Sequence, residues 1–88
     1  MKNNLYMTRG IANGVEADGG FAGEMQTAIA KFLRGDWGDT CKEDQELNEE
    51  AKVDGSRIVA QYITSKGNVF IITEVDRTVT TVLFADEY

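Results

Sequence analysis

The fold is decided by the C-terminal part of the chain, residues 56–88, which read SRIVAQYITSKGNVFIITEVDRTVTTVLFADEY. Three stretches in it are rich in β-branched and aromatic residues, and apolar residues two positions apart share a face, as Ile58, Ala60 and Tyr62 do, which is typical of strands. These stretches are residues 57–64, 69–75 and 78–85. The breaks between them, residues 65–68 and 76–77, are short enough for hairpins. The pattern therefore predicts three consecutive strands in an antiparallel meander.

Upstream of these strands the spacing of apolar residues becomes helical. Asp18 is suited to cap a helix at its N-terminus, and Gly35 is suited to end one in the left-handed conformation. Between these two residues, apolar side chains recur three and four positions apart and share one side of a helical wheel. They are Phe21, Met25, Ala28, Ile29, Phe32 and Leu33. We therefore predict a helix that turns this stripe towards the core.

A second helix is predicted over residues 41–53. Thr40 followed three positions later by Glu43 forms a capping box, which marks a helix start. Its apolar stripe consists only of Leu47 and Ala51, so most of its circumference is expected to face water.

The N-terminal segment, residues 1–15, is predicted to form a short strand or a helical turn, because Gly14 weakens a long helix there. The predicted fold class is therefore α+β, with two main helices packed on the C-terminal three-stranded antiparallel meander. A chain of 88 residues supports one core, so residues 1–88 are expected to form a single domain.

The composition excludes several kinds of chemistry. The chain has no histidine, so Ser-His-Asp and Cys-His catalysis are excluded, and a single cysteine, Cys41, leaves no conventional zinc set and no intramolecular disulfide. A helix N-terminus near Cys41 would favour a reactive thiolate, but the neighbouring acids oppose it. The glycines form neither a GxGxxG nor a GxxxxGK[ST] motif. We therefore expect a non-enzymatic protein without a cofactor or a metal.

The apolar runs are too short for membrane insertion. The longest one, residues 69–72, is far below the length of a membrane span, and residues 1–6 lack the hydrophobic region of a signal peptide. We expect a cytoplasmic protein that binds no membrane and does not bind nucleic acid directly, and a monomer is favoured over a homo-oligomer.

Charge is concentrated in one segment, residues 36–54. It holds two basic and eight acidic residues, a net charge of −6 that equals the net charge of the whole chain. The acids are Asp36, Asp39, Glu43, Asp44, Glu46, Glu49, Glu50 and Asp54. Because eight acids on nineteen helical residues are spaced about 3.6 Å apart, close to the phosphate spacing of about 3.4 Å per strand, the segment can occupy a basic groove made for nucleic acid.

Other interpretations of this segment stay open. Acidic residues on an exposed helix can serve solubility alone. A calcium or magnesium site formed by Asp36, Asp39, Glu43 and Asp44 is less favoured than turn and capping roles, because the EF-hand spacing is absent. Trp37 is either a buried wedge between the helices or an exposed anchor for a partner, and the buried role is favoured. Arg77 is expected to pair locally at a hairpin turn.

Six short stretches carry a resemblance to a known protein family. They are residues 8–11 (TRGI), 35–39 (GDWGD), 55–57 (GSR), 71–77 (IITEVDR), 80–84 (TTVLF) and 87–88 (EY). Through them the chain resembles a family of short acidic proteins carried by phages, plasmids and integrative elements of bacteria. Relatives in this family are often labelled as a type I restriction methylation subunit. That label does not fit this chain, because such a methyltransferase needs an NPP[YF]-type motif and the chain contains no proline.

The resemblance also implies a likeness to an anti-CRISPR protein that acts on a type I-C system. We therefore predict an inhibitor that binds the bacterial CRISPR surveillance complex in the host cytoplasm and blocks access to target DNA through a surface that mimics nucleic acid. The predicted partner-binding residues are Asp36, Trp37, Asp39, Glu43, Glu46, Glu49, Glu50 and Asp54. The alternative is a non-enzymatic accessory or assembly protein of the mobile element that binds through Trp37 or an exposed strand edge.

Overall fold

A computed structural model describes residues 4–88 and has an α+β architecture. In chain order the elements are β1 (Asn4–Met7), α1 (Arg9–Ala17), α2 (Gly19–Leu33), α3 (Lys42–Asp54), β2 (Ile58–Thr64), β3 (Gly67–Thr73) and β4 (Val79–Phe84), followed by a 3-10 turn (Ala85–Glu87). The predicted strand or turn over residues 1–15 overlaps both β1 and α1, and its first three residues lie outside the described part.

The sheet has four strands in the order β1-β4-β3-β2. The three C-terminal strands lie close to their predicted positions and pair antiparallel with one another. However, β1 joins them in parallel to β4, with Leu5 opposite Thr80. The predicted fold class is therefore wrong in its architecture, because the sheet is four-stranded and mixed and three helices accompany it.

The N-terminal elements escape prediction because their local signals are weak. All four residues of β1 are exposed, so the strand shows no alternation between buried and exposed positions. Within α1, Gly14 lowers helix propensity but is needed for packing, since a Cβ there would lie 2.9 Å from the Phe21 ring. Thr8 compensates at the start of α1, where its hydroxyl accepts a hydrogen bond from the Ile11 amide (3.3 Å).

The boundaries of α2 confirm the sequence prediction. Asp18 accepts hydrogen bonds from the amides of Gly20 (2.9 Å) and Phe21 (3.2 Å), and Gly35 follows the helix with φ +81°. Most of the predicted stripe is buried, and Phe21 stacks on Phe84 with ring centroids 5.7 Å apart. Leu33 is an exception, because it lies at the end of α2 and is exposed.

The hydrophobic core lies between the sheet and the helices. Val69, Ile71 and Val82 point from β3 and β4 into it and are fully buried, as is Ile11 of α1. This layer fixes the sheet relative to α1 and α2, and it leaves α3 at the β2 side of the molecule. Along residues 4–88, no helix is both long and apolar enough to cross a membrane.

Candidate interaction surface on helix α3

The acidic helix α3 is attached to the sheet edge by a polar side chain. Asn48, only 3% exposed, donates from Nδ2 to the Val59 carbonyl (2.9 Å) and accepts at Oδ1 from the Val59 amide (3.2 Å). It thereby satisfies the outward groups of β2 as a neighbouring strand would. Ala51 is buried beside it, whereas Leu47 is exposed, so the predicted apolar stripe is confirmed at Ala51 and wrong at Leu47. The helix packs against a strand edge, whose main-chain groups need hydrogen-bond partners. A polar residue therefore occupies the contact, and the contact face cannot be recognised in the sequence as an apolar stripe.

Replacing Asn48 with alanine is expected to lower the free energy of unfolding by about 2 kcal/mol, because the partly buried amide and carbonyl of Val59 lose their partners. Urea denaturation measures the change. Glu50→Ala is the matched control on the same helix, since the Glu50 side chain is exposed and has no hydrogen bond among residues 4–88. Equal stability of the two variants would contradict the anchoring role.

The loop before α3 covers the rest of the β2 edge. The Asp39 amide donates to the Gln61 carbonyl (2.9 Å), and the Gln61 amide donates to the Thr40 hydroxyl (2.8 Å). The Ile63 amide donates to the Asp39 carboxylate (2.8 Å). Together with Asn48, these contacts give each outward amide of β2 at residues 59, 61 and 63 a partner, so this edge is closed to further strands.

The predicted capping box at Thr40 is wrong. Cys41 occupies the N-cap position and makes no side-chain capping bond, while the Thr40 hydroxyl is buried and donates to the Trp37 carbonyl. The hydroxyl is used to hold the loop against β2, so Glu43 remains at the first turn of α3 without its predicted partner. Its negative charge still favours the helix start through the helix dipole.

Trp37 is a core residue at the junction of α2 and α3. Its side chain is 6% exposed, and its ring meets Phe32 edge-on with centroids 5.6 Å apart. The indole Nε1 donates to a carboxylate oxygen of Glu49 at 2.6 Å, and Lys52 Nζ lies 5.9 Å from the ring centroid. Trp37 is therefore the buried wedge of the two alternatives, and it does not present its ring to a partner.

Glu49 has a structural role, because its carboxylate accepts the hydrogen bond from the buried Trp37 indole. The hydrogen bond from Trp37, followed by the contact with Lys52 at 3.2 Å, holds the pKa of this carboxyl below its ordinary value of 4.5. A carboxylate whose pKa is lowered by folding stabilises the native state above its unfolded pKa, and this stability is lost as the pH falls through the folded pKa.

Acidification below pH 4.5 is therefore expected to weaken the native state and to change the fluorescence of Trp37, the single tryptophan. In Glu49→Gln the stability should depend less on pH in this window, because no proton is taken up at that position. Urea denaturation between pH 3 and pH 6, read by Trp37 fluorescence, measures the slope. Glu43→Gln serves as the control, and an equal slope in both variants would contradict the assignment.

Three further predicted site residues hold turns. Asp36 accepts from the Gly38 amide (3.0 Å) and forms an ion pair with Arg34 (3.6 Å). Asp39 binds the β2 edge as described. Asp54 accepts from the Ser56 amide (2.8 Å), and the Ser56 hydroxyl and amide lower the pKa of its carboxyl. These residues fix the two ends of α3, and their carboxylates are engaged locally.

The remaining predicted residues form what we call the acidic face: Glu43, Glu46 and Glu50. They lie three and four positions apart on the outward side of α3, are exposed, and have no hydrogen bond or ion pair among residues 4–88. Two exposed apolar residues, Leu47 and Val53, flank them. Of the predicted site, the structure thus brings together three free carboxylates, and the flanking apolar pair was not predicted.

The C-terminus of α3 is held by Arg77, whose contacts extend beyond the local pairing predicted from the sequence. Its guanidinium donates to the carbonyl of Ala51 (2.6 Å) and to that of Ser56 (2.7 Å), in addition to a longer bond to Glu74 (3.4 Å). Arg77 itself has φ +63° in the turn between β3 and β4. This turn is therefore tied to the end of α3, where a positive charge also favours the helix dipole.

A metal site does not form at the acidic segment. Within the described range 4–88, no group of three or more cysteine, aspartate or glutamate side chains is placed to hold a metal ion. The predicted alternative cluster of Asp36, Asp39, Glu43 and Asp44 is divided between the loop and α3.

Comparison with known proteins gives no match: no family model, no curated protein and no solved structure is similar to the chain. The geometry of α3 and its acidic face therefore carries the functional argument.

Proposed function

We propose that the protein is a non-enzymatic anti-CRISPR inhibitor that binds a bacterial CRISPR surveillance complex through the acidic face and blocks access to target DNA. The observation that carries the proposal is that Glu43, Glu46 and Glu50 are exposed and, among residues 4–88, have no cationic partner. The resemblance to mobile-element proteins directs the proposal to a host defence complex in the bacterial cytoplasm.

The acidic face is unfavourable for the isolated protein. Glu46 and Glu50 repel each other at four-residue spacing, which costs a helix about 0.2 to 0.5 kcal/mol per pair. A basic groove would relieve this repulsion and gain the attraction of opposite charges. The three carboxylates are therefore more favourable when the helix is bound to a cationic partner than when the protein is alone.

The three carboxylates do not reproduce the geometry of a phosphate backbone. Glu43 and Glu50 are seven residues apart on a helix, or about 10 Å, so the mean spacing is about 5 Å instead of the 3.6 Å expected from all eight acids. The phosphate spacing is about 3.4 Å per strand. We therefore propose that the protein competes with DNA by charge and by occupying the groove, without matching individual phosphate positions.

The proposal is tested with a purified type I-C surveillance complex. The protein is expected to bind the complex, to prevent binding of a target duplex, and to lose affinity as the salt concentration rises. Biolayer interferometry at low and high salt measures affinity, and an electrophoretic mobility assay measures DNA binding. Affinity that does not change with salt would contradict the acidic face as the binding surface, even if DNA binding is blocked.

One structural feature supports the alternative function, that of an accessory or assembly protein of the mobile element. Trp37 is buried and the β2 edge is covered, so neither can serve as the docking element. The edge of β1 is exposed. A partner that binds there would show little dependence on salt, which separates the two functions in the same experiment.

A further inference from the structure

The strand β1 has an outer edge with free main-chain groups. The Asn4 amide donates to the Thr78 carbonyl (2.8 Å), and the Thr8 amide donates to the Val82 carbonyl (3.1 Å). Because amide directions alternate along a strand, the amides and carbonyls of Leu5 and Met7 point away from β4. They have no hydrogen-bond partner among residues 4–88, in contrast to the outward amides of β2.

The side chains of β1 do not protect this edge. Natural edge strands are guarded by charges, prolines, bulges or a covering segment. Residues 4–8 read NLYMT and contain neither a charge nor a proline, although charged residues make up 27% of the chain. Leu5, Tyr6 and Met7 are 46%, 52% and 44% exposed. The edge is therefore suited to pairing with another strand.

An apolar cavity adjoins the edge on the side of α2. It has a volume of about 290 Å³ and is lined by Leu5, Ile29, Phe32, Leu33 and neighbouring sheet residues. Leu33 is exposed at its rim, which explains why the last residue of the predicted α2 stripe is not in the core. Leu5 and Met7 point to this side of the sheet and Tyr6 to the other, so both faces of the edge offer apolar contacts.

We propose that a second copy of this chain pairs here, with the two β1 strands antiparallel across a twofold axis. In this register Tyr6 lies opposite its own copy, and Leu5 and Met7 of one copy exchange hydrogen bonds with Met7 and Leu5 of the other. Each copy contributes the same patch, as an isologous interface requires. The two sheets become one continuous sheet, and the two Leu33 side chains lie on the same face as the paired leucines and methionines.

The distribution of charge favours a second copy as the occupant. The full net charge of −6 lies in residues 36–54, which flank β2 at the opposite edge of the sheet. Three strand spacings separate β2 from β1, about 14 Å, whereas charges are screened over about 8 Å at physiological salt. Two copies can therefore meet at β1 without bringing their acidic segments together.

The size of the patch sets the expected strength of the dimer. It consists of a four-residue strand with Leu33 beside it, which is small compared with the roughly 800 Å² that each partner buries in a standard interface. The dimer should therefore be weak, forming and dissociating with protein concentration below about 1 mM, with main-chain hydrogen bonds fixing its register.

Sedimentation equilibrium over a range of concentrations tests the proposal. Leu5→Lys places a charge on the edge, and Met7→Pro removes an amide that points away from β4, so the pairing of β1 with β4 is kept. Each variant is expected to weaken the dimer about tenfold or more. Ile63→Lys makes the same change as Leu5→Lys on the covered β2 edge and should leave the dimer unchanged. Circular dichroism checks that each variant is folded.

Several outcomes would overturn the proposal. A parent protein that stays monomeric up to about 1 mM has no second copy at this edge. A dimer that survives both β1 substitutions, or that Ile63→Lys weakens equally, uses another surface. If Met7→Pro does not fold, Leu5→Lys decides, together with hydrogen exchange of the parent, in which the Leu5 and Met7 amides must become protected as concentration rises.

Discussion

Replacing Glu43, Glu46 and Glu50 with lysine is expected to weaken binding to the surveillance complex by about 100-fold or more, equivalent to about 2.7 kcal/mol. Each side chain of the acidic face is exposed and has no partner among residues 4–88, so reversal removes no internal contact. Lysine has a high helix propensity, so the expected loss of stability is limited to about 1 kcal/mol, from the unfavourable charge at position 43 in the first turn of α3. Interferometry at low salt and urea denaturation measure the two quantities.

A charge-matched control separates the acidic face from overall charge. The double variant Glu46→Lys/Glu50→Lys changes the net charge by the same amount as Glu16→Lys/Asp86→Lys, in which both side chains are exposed and lie outside residues 36–54. Only the first double variant is expected to lose most of the affinity. Equal loss in both would mean that net charge alone drives binding, and full affinity of the triple variant would refute the proposed function.

Replacing Trp37 with alanine is expected to lower the free energy of unfolding by about 3 to 5 kcal/mol. The ring is buried against Phe32 between α2 and α3, and its indole holds Glu49. Truncation leaves a cavity and removes this hydrogen bond. Urea denaturation followed by circular dichroism measures the loss, since the variant has no tryptophan fluorescence.

Two controls show whether Trp37 acts through packing. Leu47→Ala truncates an exposed apolar side chain on the adjacent helix and should change stability by less than about 0.5 kcal/mol. Trp37→Phe keeps an aromatic ring in the core and should bind the complex as the parent does. A folded Trp37→Phe variant that fails to bind would assign Trp37 to the interface and contradict its buried role.

The sequence predicts α2 well because its signals are local. Asp18 bonds to amides two and three positions away, Gly35 adopts its positive φ directly after the helix, and the apolar stripe faces the core except at Leu33. The hairpin strands are predicted for the same reason, since each break is short and each strand is rich in β-branched and aromatic residues. Local chemistry is sufficient for these elements.

Long-range contacts explain the errors. The strand β1 pairs with β4, more than seventy residues away, and its exposed residues show no period. The hydroxyl of Thr40 turns to Gln61 and Trp37 instead of the helix start, and Asn48 replaces an apolar residue because it faces a strand edge. None of these partners can be inferred from neighbouring residues.

The candidate site likewise has a part that local geometry predicts and a part that depends on long-range contacts. Helix geometry alone places Glu43, Glu46 and Glu50 on one face, because residues three and four positions apart lie on the same side of a helix. It cannot show that Glu49 bonds to Trp37, twelve residues away. Charge counting therefore overestimates the number of carboxylates available to a partner.

The three attachments of α3 have a kinetic consequence. The loop holds its start, Asn48 its middle and Arg77 its end, so the helix is ordered before it meets any partner. Association then requires no coupled folding step and incurs little loss of backbone entropy. The association rate with a cationic groove should be high and should be increased by long-range electrostatic steering at low ionic strength. Differences among variants in the dissociation rate should reflect their contacts alone.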